Sequence, residues 1–156
     1  MRVERLPHHI WEPACVPGSI VGVLRAAGHQ VYATDLNDWG CPDSESGIDF
    51  LMEWQLRFHA ETIVTNPPYK QADQFVAHAL KLCPRVIMLL RLAFLESERR
   101  RPILESCGLA RVHVFRKRLP MMHRHGWQGP RASSSIPFAW FVWQRDYNGK
   151  TELDRI

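Results

Sequence analysis

The chain has 156 residues, 46% of them hydrophobic and 23% charged, with a formal net charge of +4. That suffices for a single domain, residues 1–156, with a core of its own, and no apolar run approaches the ~20 residues that span a bilayer. Met1-Arg2-Val3-Glu4-Arg5 leads into no signal-peptide core, so the expectation is a soluble, cytoplasmic protein without membrane contact.

A first strand is predicted near 8–12, where Ile10-Trp11-Glu12 runs into the small-residue turn Pro13-Ala14-Cys15-Val16-Pro17-Gly18. An amphipathic helix follows over 19–27 and stops at Gly28. A second strand over 30–34 ends at Asp35. This order of strand, turn, helix, strand and acid is the grammar of nucleotide-cofactor folds. The turn lets backbone approach the ligand, and the acid accepts hydrogen bonds from ribose hydroxyls. Without a GxGxxG pattern the turn alone is a weak signal. For Asp35 the alternative is a helix cap or a solvated loop acid.

Residues 37–47, rich in Asn, Asp, Gly, Pro and Ser, read as a loop, and a short element over 49–57 opens with Asp49-Phe50. The β-branched run Thr62-Ile63-Val64-Thr65 predicts a buried strand over 61–65. It leads directly into Asn66-Pro67-Pro68-Tyr69. An amide side chain and the Pro67 carbonyl can both accept hydrogen bonds from one NH2 group. The prolines fix φ and hold those acceptors rigid, and Tyr69 can stack on a planar substrate. The other reading is a Pro-Pro turn with Tyr69 half buried.

Beyond it, apolar spacing predicts a helix over 72–82, a buried strand over 85–90 and a charged helix over 96–106. A strand over 112–115, an irregular loop over 119–136 and a last strand over 137–144 follow. Such alternation suits an α/β fold, a Rossmann-like, mostly parallel central sheet with one antiparallel edge strand. A whole αβ unit is missing between 35 and 60, so the fold is expected to be trimmed.

Cys15, Cys41, Cys83 and Cys107 are widely spaced with no CxxC pair, which argues against a disulfide framework or a zinc ribbon. His8-His9 and His123-x-His125 lack further ligands at suitable spacing, so no metal is expected. Residues 1–80 hold five Lys/Arg against ten Asp/Glu, whereas residues 81–156 hold fifteen against six. The basic second half points to nucleic acid, with solvated basic faces as the alternative.

Glu-Pro-Ala-Cys-x-x-Gly from Glu12, then Thr34-Asp35, then Asn66-Pro67-Pro68-Tyr69 resembles the class I S-adenosylmethionine-dependent methyltransferases. Within them it is most similar to the amino-methylating branch that includes DNA adenine N6 methyltransferases. The resemblance spans roughly residues 8–144. It implies S-adenosyl-L-methionine as cofactor, with Glu12, Pro13, Ala14, Cys15 and Gly18 forming its loop. It places Asp35 and Leu36 at the ribose, Asp49 and Phe50 at the adenine, and Asn66 between cofactor and target. Asn66, Pro67, Pro68 and Tyr69 would be the catalytic set, with Tyr69, Arg124 and Trp127 meeting the substrate.

Three departures stand out. Val16 occupies a place where the family usually has Gly, so a crowded loop is expected there. Little chain precedes Glu12, and no separate target-recognition domain is visible, so a partner subunit or a homodimer supplying recognition is also expected. Beside methyl transfer to adenine N6 in DNA or RNA stand two alternatives. One is a protein-glutamine methyltransferase. The other is a catalytically degenerate fold that binds nucleic acid or a partner.

Overall fold

The computed structural model describes residues 3–120 and 135–156. In chain order its elements are β1 (His9–Glu12), α1 (Ser19–Ala26), β2 (Gln30–Asp35), β3 (Ser44–Ser46), β4 (Thr62–Thr65), α2 (Ala72–Leu82), β5 (Arg85–Arg91), α3 (Arg101–Glu105), β6 (Leu109–Val114), β7 (Phe138–Gln144) and β8 (Glu152–Arg155). Short 3-10 turns occupy Phe50–Met52, Tyr69–Gln71, Leu92–Leu95 and Glu98–Arg100. The strands form one sheet in the order β3-β2-β1-β4-β5-β7-β6-β8. All pairings are parallel except those of β7, which runs antiparallel to both β5 and β6.

The class is the expected mostly parallel α/β sheet. The antiparallel strand stands inside the sheet rather than at its rim, because β6 and β8 lie beyond it. The trimming is also present: between β2 and β4 the described chain forms only β3 and one 3-10 turn.

Successive strand residues face opposite sides of the sheet. Trp11, Ile63, Val86, Met88, Phe141 and Trp143 therefore face α2 and α3, packing with Phe50, Phe75, Val76 and Ala79. Ile10, Val31, Val64, Ile87 and Val142 face α1, packing with Val21 and Leu24. Both buried indole N–H groups are satisfied. Trp11 donates to Thr34 Oγ1 at 3.0 Å and Trp143 to the Ile103 carbonyl at 2.8 Å.

Several expectations differ in detail. The charged helix expected over 96–106 is a 3-10 turn followed by the five-residue α3. Pro102 lacks an N–H and fits only a helix's first turn, so no continuous helix can pass through it. Ser44–Ser46 pairs with Ala33–Asp35 as a strand within the expected loop, and the unforeseen β8 pairs with β6. Both are polar strands at the sheet's edges, without an apolar signature.

The N-terminal segment is clamped across β5 and β6 by one carboxylate. Glu4 receives Arg85 at 2.6 Å and His113 Nε2 at 2.9 Å, and also pairs with Arg111. Burial works to raise the Glu4 carboxyl. Hydrogen bonds from Arg111 and His113, with the Arg111 and Arg85 charges, outweigh it and hold the group below its ordinary value. Among the described residues no helix is long and apolar enough to cross a membrane.

Candidate functional site

The sheet order reverses direction between β1 and β4, and open α/β sheets bind ligands in the crevice outside the carboxyl ends of such strands. A cavity of about 360 Å³ lies there, within the range of small-molecule sites. The turn after β1 contributes Pro13, Ala14 and Val16, and the end of β2 contributes Asp35, Leu36, Asn37 and Trp39. Ile48, Asp49 and Phe50 come from the segment after β3, and Asn66, Pro67, Pro68 and Tyr69 from the end of β4, with Gln71 and Phe75 behind. Ten of the residues expected from sequence thus meet in one hollow.

Glu12, Cys15 and Gly18 do not line it. Glu12 is fully buried at the end of β1, where its Oε1 accepts the Ala14 N–H at 3.3 Å. Its Oε2 and the Thr65 hydroxyl make no hydrogen bond of ordinary geometry among the described residues, yet they are close enough for the hydroxyl to favour the ionised carboxyl. Burial pushes the Glu12 carboxyl well above the ordinary carboxylate range, and the nearby Asp35 charge adds to this against the opposing effects of Thr65 and Ala14. Cys15 packs on the α1 side of the sheet. Burial, then the Cys41 thiol, pushes its own thiol up to about 12. Gly18 precedes α1 in the left-handed region at φ 85°, and a Cβ there would lie 3.2 Å from Cys41 Sγ. Val16 has no positive φ; Gly18 supplies the left-handed position in this turn. Val16 lines the cavity, 38% exposed, as a wall rather than a backbone fault.

The Asp35 carboxylate ties the site together. Oδ2 accepts the Val16 N–H at 3.2 Å, while Oδ1 accepts the Asn37 N–H and the Trp39 indole N–H, each at 3.0 Å. Asp49 caps its 3-10 turn by accepting the Leu51 N–H at 3.0 Å. Phe50 is only 2% exposed, set edge-on to Trp11 with centroids 5.3 Å apart and tilted against Phe75 at 5.0 Å. It reaches the cavity as part of the core. Tyr69 is 37% exposed, with its ring centroid 5.7 Å from that of Phe138 and the Arg91 guanidinium 4.7 Å from its own. Arg124 and Trp127 lie outside the described residues.

Sequence reasoning did not single out Ile48, Trp39, Gln71, Phe75, Arg91 or Phe138. Only Arg91 carries a signal, as a cation closing the apolar run of β5. The larger hollow, about 810 Å³, lies on the α1 face over Val64, Ile87 and Trp140. Its carboxylate, Glu4, is committed to Arg85, Arg111 and His113, so fewer polar groups converge there.

The donor and acceptor set of the smaller cavity fits a nucleoside cofactor. Two carboxylates stand beside the apolar walls of Leu36, Ile48 and Phe50, and the buried Glu12 directly precedes the lining residues Pro13 and Ala14. No family model matches the sequence, and no curated protein does. Solved structures match in fold. A Pyrococcus horikoshii protein described as an RNA methyltransferase superposes with a TM-score of 0.62 at 12% identity, over 88% of this chain and 74% of that one. The 23S rRNA methyltransferase ErmE gives 0.57 at 16% identity, over 90% and 62%. Magnesium protoporphyrin IX methyltransferase from Synechocystis, solved with bound S-adenosylmethionine, gives 0.54 at 16%, over 88% and 69%. At these identities the likeness speaks for the fold: the chain folds as these methyltransferases fold.

Proposed function

We propose that this protein transfers a methyl group from S-adenosylmethionine to an exocyclic amino nitrogen, with adenine N6 in DNA or RNA as the target. The observation that carries the reading is the meeting of Asn66-Pro67-Pro68-Tyr69 with Asp35 and Asp49 in one cavity at the sheet's switch point. When bound, the cofactor supplies an electrophilic sulfonium methyl. Asp35 would take ribose hydroxyls, Asp49 the adenine amino group, and Leu36 and Ile48 would flank the base.

An exocyclic amine on a heteroaromatic ring is a weak nucleophile because its lone pair is delocalised into the ring. The Asn66 side-chain oxygen and the Pro67 carbonyl accept from the two N–H bonds. That favours a tetrahedral nitrogen and stabilises the positive charge that grows on it. Tyr69 stacks on the ring and fixes its plane, so proximity and alignment contribute the rest. Amide methylation of protein glutamine would use the same acceptors. The fifteen Lys/Arg against six Asp/Glu in residues 81–156 favour the polyanion.

The test is transfer of labelled methyl to adenine-containing RNA and DNA. Asn66→Ala is expected to lower the rate by about 100-fold or more, the scale on which one lost transition-state contact acts. Full activity in Asn66→Ala would overturn the mechanism.

A further inference from the structure

We propose that Arg91 is a phosphate-binding positioning residue, and that the strand it holds is single-stranded nucleic acid laid across Tyr69. The inference rests on the function proposed above and names the substrate class of the same site.

β5 is apolar from Val86 to Leu90 and closes on Arg91, which is exposed. Arg91 pairs in register with Phe138 on β7, so the guanidinium rises beside the strand ends that frame the cavity. It sits 4.7 Å from the Tyr69 ring centroid. Most other arginines around the fold are committed: Arg85 and Arg111 hold Glu4, while Arg99 and Arg100 hold Asp73. Arg91 has no carboxylate partner among the described residues, and all sixteen Asp/Glu of the chain are among them.

A cation over an aromatic face is held by the ring's quadrupole, while its N–H donors lie in the guanidinium plane and reach outward. Such a group is preorganised for the bidentate geometry of a phosphate. The spacing suits a nucleotide whose base enters the pocket. The base meets the exposed face of Tyr69, and the phosphate beside it meets Arg91. Lys70, exposed and next to Tyr69 in the chain, adds a second cation nearby.

The exposed Tyr69 ring decides the form of the strand. Tyr69 offers stacking surface to an unstacked base, with the buried Phe138 backing its ring, whereas a base inside a duplex has both faces covered by its neighbours. RNA and DNA single strands share this chemistry.

The test is fluorescence anisotropy of labelled, adenine-containing single strands of RNA and of DNA, and of the matching duplex, over a range of KCl concentrations. Wild type, Arg91→Gln, Arg91→Lys and Lys81→Gln are compared. Lys81 is an exposed cation near the end of α2, at the opposite end of the sheet, and controls for loss of charge alone. Arg91→Gln is expected to weaken single-strand binding severalfold and to reduce the slope of log K against log salt by about 0.7, the release expected for one phosphate contact. Arg91→Lys should keep the slope, and Lys81→Gln should match wild type. The tighter of the RNA and DNA arms names the source. Tighter binding to the duplex, or an Arg91→Gln slope equal to that of wild type or of Lys81→Gln, would overturn the proposal. Calorimetry with S-adenosylhomocysteine on the same proteins reads the cofactor assignment separately, so failure of one is distinguishable from failure of the other.

Discussion

The Trp39 indole N–H donates to Asp35 Oδ1 at 3.0 Å, on a carboxylate whose Oδ2 already accepts the Val16 N–H at 3.2 Å. Trp39 is 46% exposed and lines the cavity, so under the proposed role of Asp35 a ribose would compete for this contact. Trp39→Phe removes the donor and keeps an aromatic wall. It is expected to tighten S-adenosylhomocysteine binding by severalfold, on the order of the roughly 1 kcal/mol of a net hydrogen bond. Titration calorimetry checks this. Equal or weaker binding in Trp39→Phe would show that the indole does not compete with the ligand.

Glu12 predicts a pH dependence of stability. Its carboxyl is raised in the folded protein above the ordinary 4.5, by burial first. A group raised on folding contributes stability that is complete below its unfolded value and is lost as pH rises through its folded one. Wild type should therefore lose stability from about pH 4.5 upward, and Glu12→Gln, which cannot ionise, should lack that slope. Urea midpoints at mildly acidic and mildly alkaline pH measure it. A difference between the two proteins that does not grow with pH would contradict the assignment of a neutral Glu12.

Glu4 predicts the opposite sign. Its lowered carboxyl contributes stability above its unfolded value, lost as pH falls through the folded one. Glu4→Gln leaves Arg85 and Arg111, with side chains 20% and 24% exposed, without their charge partner. The expected cost at neutral pH is about 1–3 kcal/mol, the range for lost hydrogen bonds to a charged group. It should shrink in acid, as followed by denaturant unfolding at neutral and acidic pH. A cost unchanged in acid would exclude the ionised clamp.

Gly18 is the left-handed point of the turn, a conformation that glycine adopts without strain. Its φ of 85° disfavours any L-residue, and a Cβ 3.2 Å from Cys41 Sγ would push that side chain back by a few tenths of an ångström. Gly18→Ala should lower stability by about 1–2 kcal/mol, the left-handed penalty for an L-residue, with an unchanged urea m-value. Unaltered stability would mean that the turn relaxes freely.

What the sequence disclosed depended on where burial left a signature. Strands β1, β2, β4, β5 and β7 carry apolar or β-branched runs because they lie within the sheet, and all five were legible. Ser44–Ser46 and Glu152–Arg155 were not, since edge strands pair through backbone and need no apolar face. Pro102 stood in plain view, yet the charged run around it reads as helix until its missing N–H is taken into account. Within the site, Asp35 and the Asn-Pro-Pro-Tyr segment were read from the strands they follow, and Leu36, Asp49 and Phe50 from the family resemblance. The Trp39–Asp35 bond and the Arg91–Tyr69 stack depend on how loops fold back, which spacing does not encode. Cys15 packs on the α1 side of the sheet and Gly18 sits at the N-cap of α1, so neither lines the cavity.

The account rests on S-adenosylmethionine binding at the ends of β1, β2 and β4, and titration calorimetry with S-adenosylhomocysteine tests it most directly. Wild type is expected to bind in the micromolar range, about −8 kcal/mol, and Asp35→Ala, which removes the proposed ribose acceptor, to bind at least about tenfold more weakly. Absence of binding to wild type at millimolar ligand would contradict the account.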